Sequence, residues 1–132
     1  MKYKKSDTGK DLFSFIQNKP DGLSDFKWLF GNIYGVKHGD PEQNDNFEMK
    51  YWAFTKNDSP PHKPKTQKQS TEYTLILKGK VEGNIAGERI ILETGEYVVI
   101  QPGTESNLIE KIIDNTVGIT IKSPSIKGDT KR

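Results

Sequence analysis

The chain has 132 residues, enough for one domain and hardly for two. It contains no cysteine, which excludes disulfides, thiolate catalysis, zinc–thiolate centres and iron–sulfur clusters. Charged residues make up 29% of the sequence but nearly cancel to +2, so there is no concentrated basic signal for nucleic acid, and no apolar run approaches the roughly 20 residues of a membrane span.

Residues 1–9 are polar and are expected to be a loose N-terminus. No apolar run follows MKYKKSD, so no signal peptide is expected and the protein is read as cytoplasmic. Residues 10–17 (KDLFSFIQ) suit a short helix, with Thr8 as its cap and Asp11 in its first turn, stopped by NKPDG at 18–22. From residue 28 the pattern changes to short β runs. Strands are predicted over 28–34 (WLFGNIY) and 47–54 (FEMKYWAF), the second alternating apolar and polar residues over its first half. The polar loop 37–46 lies between them, and a longer polar stretch, 55–70, the longest break, suits a mobile flap; whether either loop closes over a pocket is left open by the sequence. Further strands are predicted over 73–77, 81–86, 89–93, 97–100, 106–113 and 116–122, with a bend at 78–80 and turns at Gly87, Thr94-Gly95, Pro102-Gly103 and Asp114-Asn115. About eight short strands with turns this frequent indicate a sandwich, jelly roll or closed barrel. The domain therefore spans 10–122, and 123–132 is expected to be a flexible basic tail.

Two segments resemble the paired motifs of the cupin superfamily. EYTLILKGKVEG at 72–83 resembles the end of the first motif, a glutamate followed by an apolar run and a glycine. GEYVVIQPG at 95–103 resembles the second, and VGITIKSP at 117–124 resembles the closing strand. The resemblance covers about residues 60–124. It implies a mainly β fold, a cupin-type double-stranded β-helix (jelly-roll barrel), here with a short N-terminal helix. Gly79 and Gly95 stand where such a barrel turns tightly, which suits residues without a side chain.

The resemblance also implies where a metal would sit. Metal-binding cupins place two histidines ahead of the glutamate and a third in the second motif. Here the first two positions hold Lys65 and Gln67, or Thr66 and Lys68, and the third falls near Ser106. Of four expected ligands only Glu72 remains, so a degenerate metal site and no cofactor are expected. A divalent metal held by His38, His62 and Glu72 is the open alternative. The acidic loop DPEQNDN at 40–46 spaces oxygen ligands as a calcium loop does, but it lacks the bend glycine and flanking helices of an EF-hand and reads as solvated.

The basic segment HKPKTQK at 62–68 brings lysines to the mouth. Lys65, Thr66, Gln67, Lys68, Glu72 and Ser106 form the candidate ligand site, with Trp52 as an aromatic that lines it. Trp52 and Tyr51 are adjacent on one strand, so one faces the barrel and the other does not. The leading expectation is a non-catalytic binding domain for a small anionic molecule. The alternatives are an enzyme, with the irregular metal site or with Glu72 as a metal-free acid/base, and a structural domain with a packed barrel. A homodimer is expected, and neither a membrane nor a nucleic acid as partner.

Overall fold

The computed structural model describes residues 3–6, 10, 25–58 and 63–132. Eight strands form one curled antiparallel sheet: β1 (Asp25–Phe30), β2 (Glu48–Phe54), β3 (Lys65–Gln67), β4 (Thr71–Ile85), β5 (Glu88–Glu93), β6 (Tyr97–Ile100), β7 (Glu105–Ser123) and β8 (Thr130–Lys131). The mainly β architecture expected from the sequence is what forms. The helix expected over 10–17 falls, beyond Lys10, outside the described residues. Among the described residues no helix is long and apolar enough to cross a membrane.

Two long strands build the barrel wall. The second half of β7 lies between β2 and the first half of β4, while its first half pairs with β3 and with the second half of β4. The bend expected at 78–80 is a bulge inside one strand rather than a break between two. Gly79 has φ +116°, and a Cβ there would lie 2.3 Å from Thr116 Oγ1, so only glycine allows this approach. Likewise the two strands expected over 106–122 merge into β7, whose register shifts against β4 take up the turn residues Asp114 and Asn115 without ending the ladder. At the N-terminal side β1 begins earlier than predicted and stops at Phe30. Asn32 leaves the ladder to donate its N–H to Ser125 Oγ.

Two polar segments are more ordered than their composition suggests. Within 55–70, Lys65–Gln67 is strand β3, clamped between β7 and β8. Residues 123–132, expected as a loose tail, fold back onto the barrel. The carboxylate of buried Asp129 accepts the N–H groups of Gln69 and Ser70, and Thr130 pairs with Gln67. Burial alone pushes the Asp129 carboxyl up, but the N–H groups of Ser70 and Gln69 and the nearby Lys68 outweigh it and hold the group below its ordinary value.

The core gathers Trp52, Phe54, Ile76, Val81, Leu92, Ile100, Leu108, Ile109 and Ile112. Toward one end the inner face changes character. Glu72 and Thr74 on β4 are 1% and 3% exposed, whereas their neighbours Tyr73 and Leu75 are 42% and 36% exposed. The polar side chains point into the barrel and the apolar ones point out.

Candidate functional site

Register produces the site. Across β2, β7 and β4, Glu48 stands opposite Lys122 and Lys122 opposite Glu72. One step deeper, Lys50 stands opposite Thr120 and Thr120 opposite Thr74. Because side chains alternate across a strand, both rows project to the same inner face. Below them Trp52 faces Gly118, where a Cβ would lie 2.2 Å from the indole. The indole therefore lies flat over a strand that has no side chain at that point. Trp52 Nε1 donates to Thr120 Oγ1 at 3.0 Å, and Thr120 shares a 2.9 Å hydrogen bond with Thr74. Trp52 is thus the inward member of the Tyr51/Trp52 pair.

Lys50, Trp52, Glu72, Thr74, Thr120 and Lys122 line a cavity of about 560 Å³, within the size range of small-molecule sites. Its described wall carries five cationic side chains, Lys50, Lys63, Lys65, Lys122 and Arg132, against one carboxylate, Glu72. Lys65 Nζ donates to Glu72 Oε1 at 2.8 Å, from a partly buried lysine to a buried carboxylate. Lys50 and Lys122 both stand over the Trp28 ring, at 5.2 and 5.4 Å from its centroid, and Lys50 also lies 5.5 Å from Phe26. Burial pushes the Lys50 ammonium down to about 8, with help from Lys65 and Lys122 and against Glu72. Burial and then Lys65 lower Lys122 as well, opposed by Glu72 and Glu48.

A second, connected recess shares Trp28, Lys122 and Arg132 with this cavity and is lined by Gln67 and Glu48. Lys122 Nζ donates to Thr130 Oγ1 at 3.3 Å, and Thr130 Oγ1 donates to Gln67 Oε1 at 2.7 Å. Gln67 is buried, and among the described residues its Nε2 has no acceptor.

The structure therefore brings Lys65, Glu72, Ser106 and Trp52 into one cavity and puts Gln67 in the adjoining recess. Thr66 and Lys68 are not part of either wall. Thr66 alternates away from Lys65 along β3, and Lys68 is exposed, with its backbone N–H bound to the Asp129 carbonyl. The loop 37–46 does not line the cavity, whereas 55–70 contributes to it through Lys63 and Lys65. The oxygens of 40–46 cap local turns: Asp40 accepts the Lys37 N–H, and Asn44 accepts the Asn46 N–H. His38 is exposed in that loop and away from Glu72's cavity, and His62 lies outside the described residues. A divalent cation at Glu72 does not fit the donors present, because Lys65 holds its carboxylate and four further cations line the same wall.

The sequence reading missed Lys50, Lys122, Arg132, Trp28, Thr74 and Thr120. The usable signal was the every-second-residue recurrence of polar groups in Glu48/Lys50, Glu72/Thr74 and Thr120/Lys122, which ordinarily marks a solvent face.

No family model and no curated protein matches the sequence. Solved structures match over most of the chain at low identity. KdgF from Halomonas sp. is 16% identical over 79% of this chain and 81% of its own, with TM-score 0.56. The Cnp3 cupin domain of Schizosaccharomyces pombe is 15% identical over 78% and 65%, with TM-score 0.55. A variant of Streptomyces Pac13 with uridine is 10% identical over 99% and 89%, with TM-score 0.62, and Pac13 is described as a nucleoside dehydratase. With the barrel topology, these likenesses establish that the chain has the cupin-superfamily fold.

Proposed function

We propose that this cupin-fold protein binds a small anionic molecule inside its barrel, where its metal-binding relatives hold their ion. The observation that carries this reading is the inner-face cluster of Lys50, Lys65, Lys122 and Arg132, which outnumbers the two inner carboxylates, Glu72 paired to Lys65 and Glu48 opposite Lys122. The surplus positive charge sits in a recess where water screens it poorly, so it favours an anion strongly. The Gln67 Nε2 supplies a buried donor that an acceptor on the ligand satisfies. Trp28 and Trp52 offer ring faces to an apolar or planar part of the molecule. That a variant of Pac13, with the same fold, is described with uridine supports the barrel as a small-molecule site.

The protein is further proposed to act as a homodimer. On the outer face of the same strands, Met49, Ile121, Tyr73 and Val99 form one row, and Tyr51, Ile119, Leu75 and Tyr97 the next. The two rows carry no charge, and Tyr97 is 70% exposed. A broad uncharged face of this kind is complementary to itself, because two copies lose no ionic hydration when they meet.

Calorimetric titration with small carboxylates and phosphates tests the site. The double variant Lys65→Ala/Lys122→Ala is expected to weaken binding at least tenfold, and Lys68→Ala to leave it unchanged. An affinity that is equal in all three proteins overturns the assignment.

A further inference from the structure

Among the cavity's lysines, Lys50 differs from its neighbours. Lys65 is tied to Glu72, and Lys122 donates to Thr130. Among the described residues no carboxylate lies within ion-pair distance of Lys50, whose Nζ stands between the Phe26 and Trp28 rings. Ring faces attract an ammonium but accept no proton from it and leave its nitrogen accessible from the cavity. We infer that Lys50 is an amine nucleophile that condenses reversibly with a small carbonyl compound carrying a carboxylate. This rests on the reading of the cavity as an anion site and names the ligand class within it.

The chemistry needs nothing beyond the two partners. The Lys50 nitrogen forms a bond to the carbonyl carbon, and its two remaining hydrogens leave with the carbonyl oxygen as one water, giving an imine. No electrons are transferred and no co-reactant is consumed. Attack requires the neutral amine. With the Lys50 ammonium lowered to about 8, roughly a quarter of the amine is neutral at pH 7.5, against about one part in a thousand for an ordinary lysine. Burial sets most of this balance; of the charged groups around it, Lys65 on β3, Lys122 on β7 and Arg132 beyond β8 favour the neutral amine, and Glu72 on β4 opposes them. Lys122 and Arg132, which share the cavity with Lys50, are the counter-charges for the carboxylate.

The full chain is incubated with 4-formylbenzoate and sodium borohydride, and the adduct is located by peptide mass mapping. The expected result is one dominant adduct at Lys50, formed at least tenfold faster than at any other lysine. Its rate inflects near pH 8, it is slowed by the carbonyl-free dianion terephthalate, and it is lost in Lys50→Arg. Mapping in the unaltered protein gives the answer even if the variant does not fold. Labelling spread over surface lysines, or a Lys50 rate that climbs past pH 10 without inflection, overturns the inference. If terephthalate binds in a titration but no adduct forms at Lys50, the amine chemistry fails and the anion site stands. If terephthalate neither binds nor slows labelling, the anion reading itself fails.

Discussion

The two faces of one sheet, β2–β7–β4–β6, follow opposite rules. On the outside stand Tyr73, Leu75, Leu77, Tyr97 and Val99, each more than a third exposed. On the inside, at matching depth, stand Glu48, Lys50, Glu72, Thr74, Thr120 and Lys122. An antiparallel sheet with one wet face ordinarily buries its apolar side and solvates its polar side. The inversion is what motivates both the proposed ligand and the proposed dimer. The inner charges are sheltered from water, and among the described residues only Lys65 and Glu72 form an ion pair there, which suits a ligand, while the outer apolar rows are left open, which suits a second copy.

The comparison breaks most sharply at Glu72. Glu72→Ala leaves Lys65 as an uncompensated buried charge and is expected to cost about 3–5 kcal/mol in chemical denaturation. The double variant Lys65→Met/Glu72→Leu is expected to recover most of that loss. If the two proteins are equally unstable, the pair is not what stabilises this end of the barrel.

On the outer face, Leu75→Glu/Tyr97→Glu is expected to convert the dimer to a monomer in sedimentation at micromolar concentration while anion affinity stays intact. Its dimer dissociation constant should rise at least a hundredfold, about 3 kcal/mol. An unaltered protein that already sediments as a monomer sinks the proposed interface.

A smaller effect of opposite sign is expected at Lys50. Lys50→Met removes a partly buried cation without a carboxylate partner and is expected to stabilise the fold by about 1–2 kcal/mol at pH 7 while weakening anion binding. The sign follows from linkage. The folded Lys50 value, about 8, lies below its unfolded value, so the cost of holding the charge is full below pH 8 and is relieved as pH rises toward 10. The stability difference between Lys50→Met and the unaltered protein should therefore shrink across pH 8–10. A constant difference over that range would show that Lys50 keeps an ordinary ammonium.

Strand positions were legible because turn residues punctuate them and β-branched and aromatic residues fill them. β6 was predicted to the residue, and β2 and β5 to within one. Continuity was not legible: the breaks expected at 78–80 and 114–115 are bulges inside β4 and β7, since a local signal for a turn is the same as one for an extra residue in a ladder. Lys65, Glu72, Ser106 and Trp52, named from the cupin motifs and the aromatic pattern, line one cavity. Lys50 and Lys122 were not, because an alternating lysine reads as a solvated position on any strand seen alone.

The sequence by itself determined the class of fold and the presence of a basic segment ahead of Glu72. Turn chemistry, alternation and motif spacing are local properties, and they survive without knowledge of neighbours. Tertiary structure decided which face of each strand is the inside. Pairing β7 between β2 and β4 stacks Glu48, Lys122 and Glu72 in one row and Lys50, Thr120 and Thr74 in the next. A one-residue slip of β7 in that register would turn Thr120 and Lys122 outward and break both rows. Periodicity shows that a strand has two faces, and only its partners fix which of them closes around a ligand.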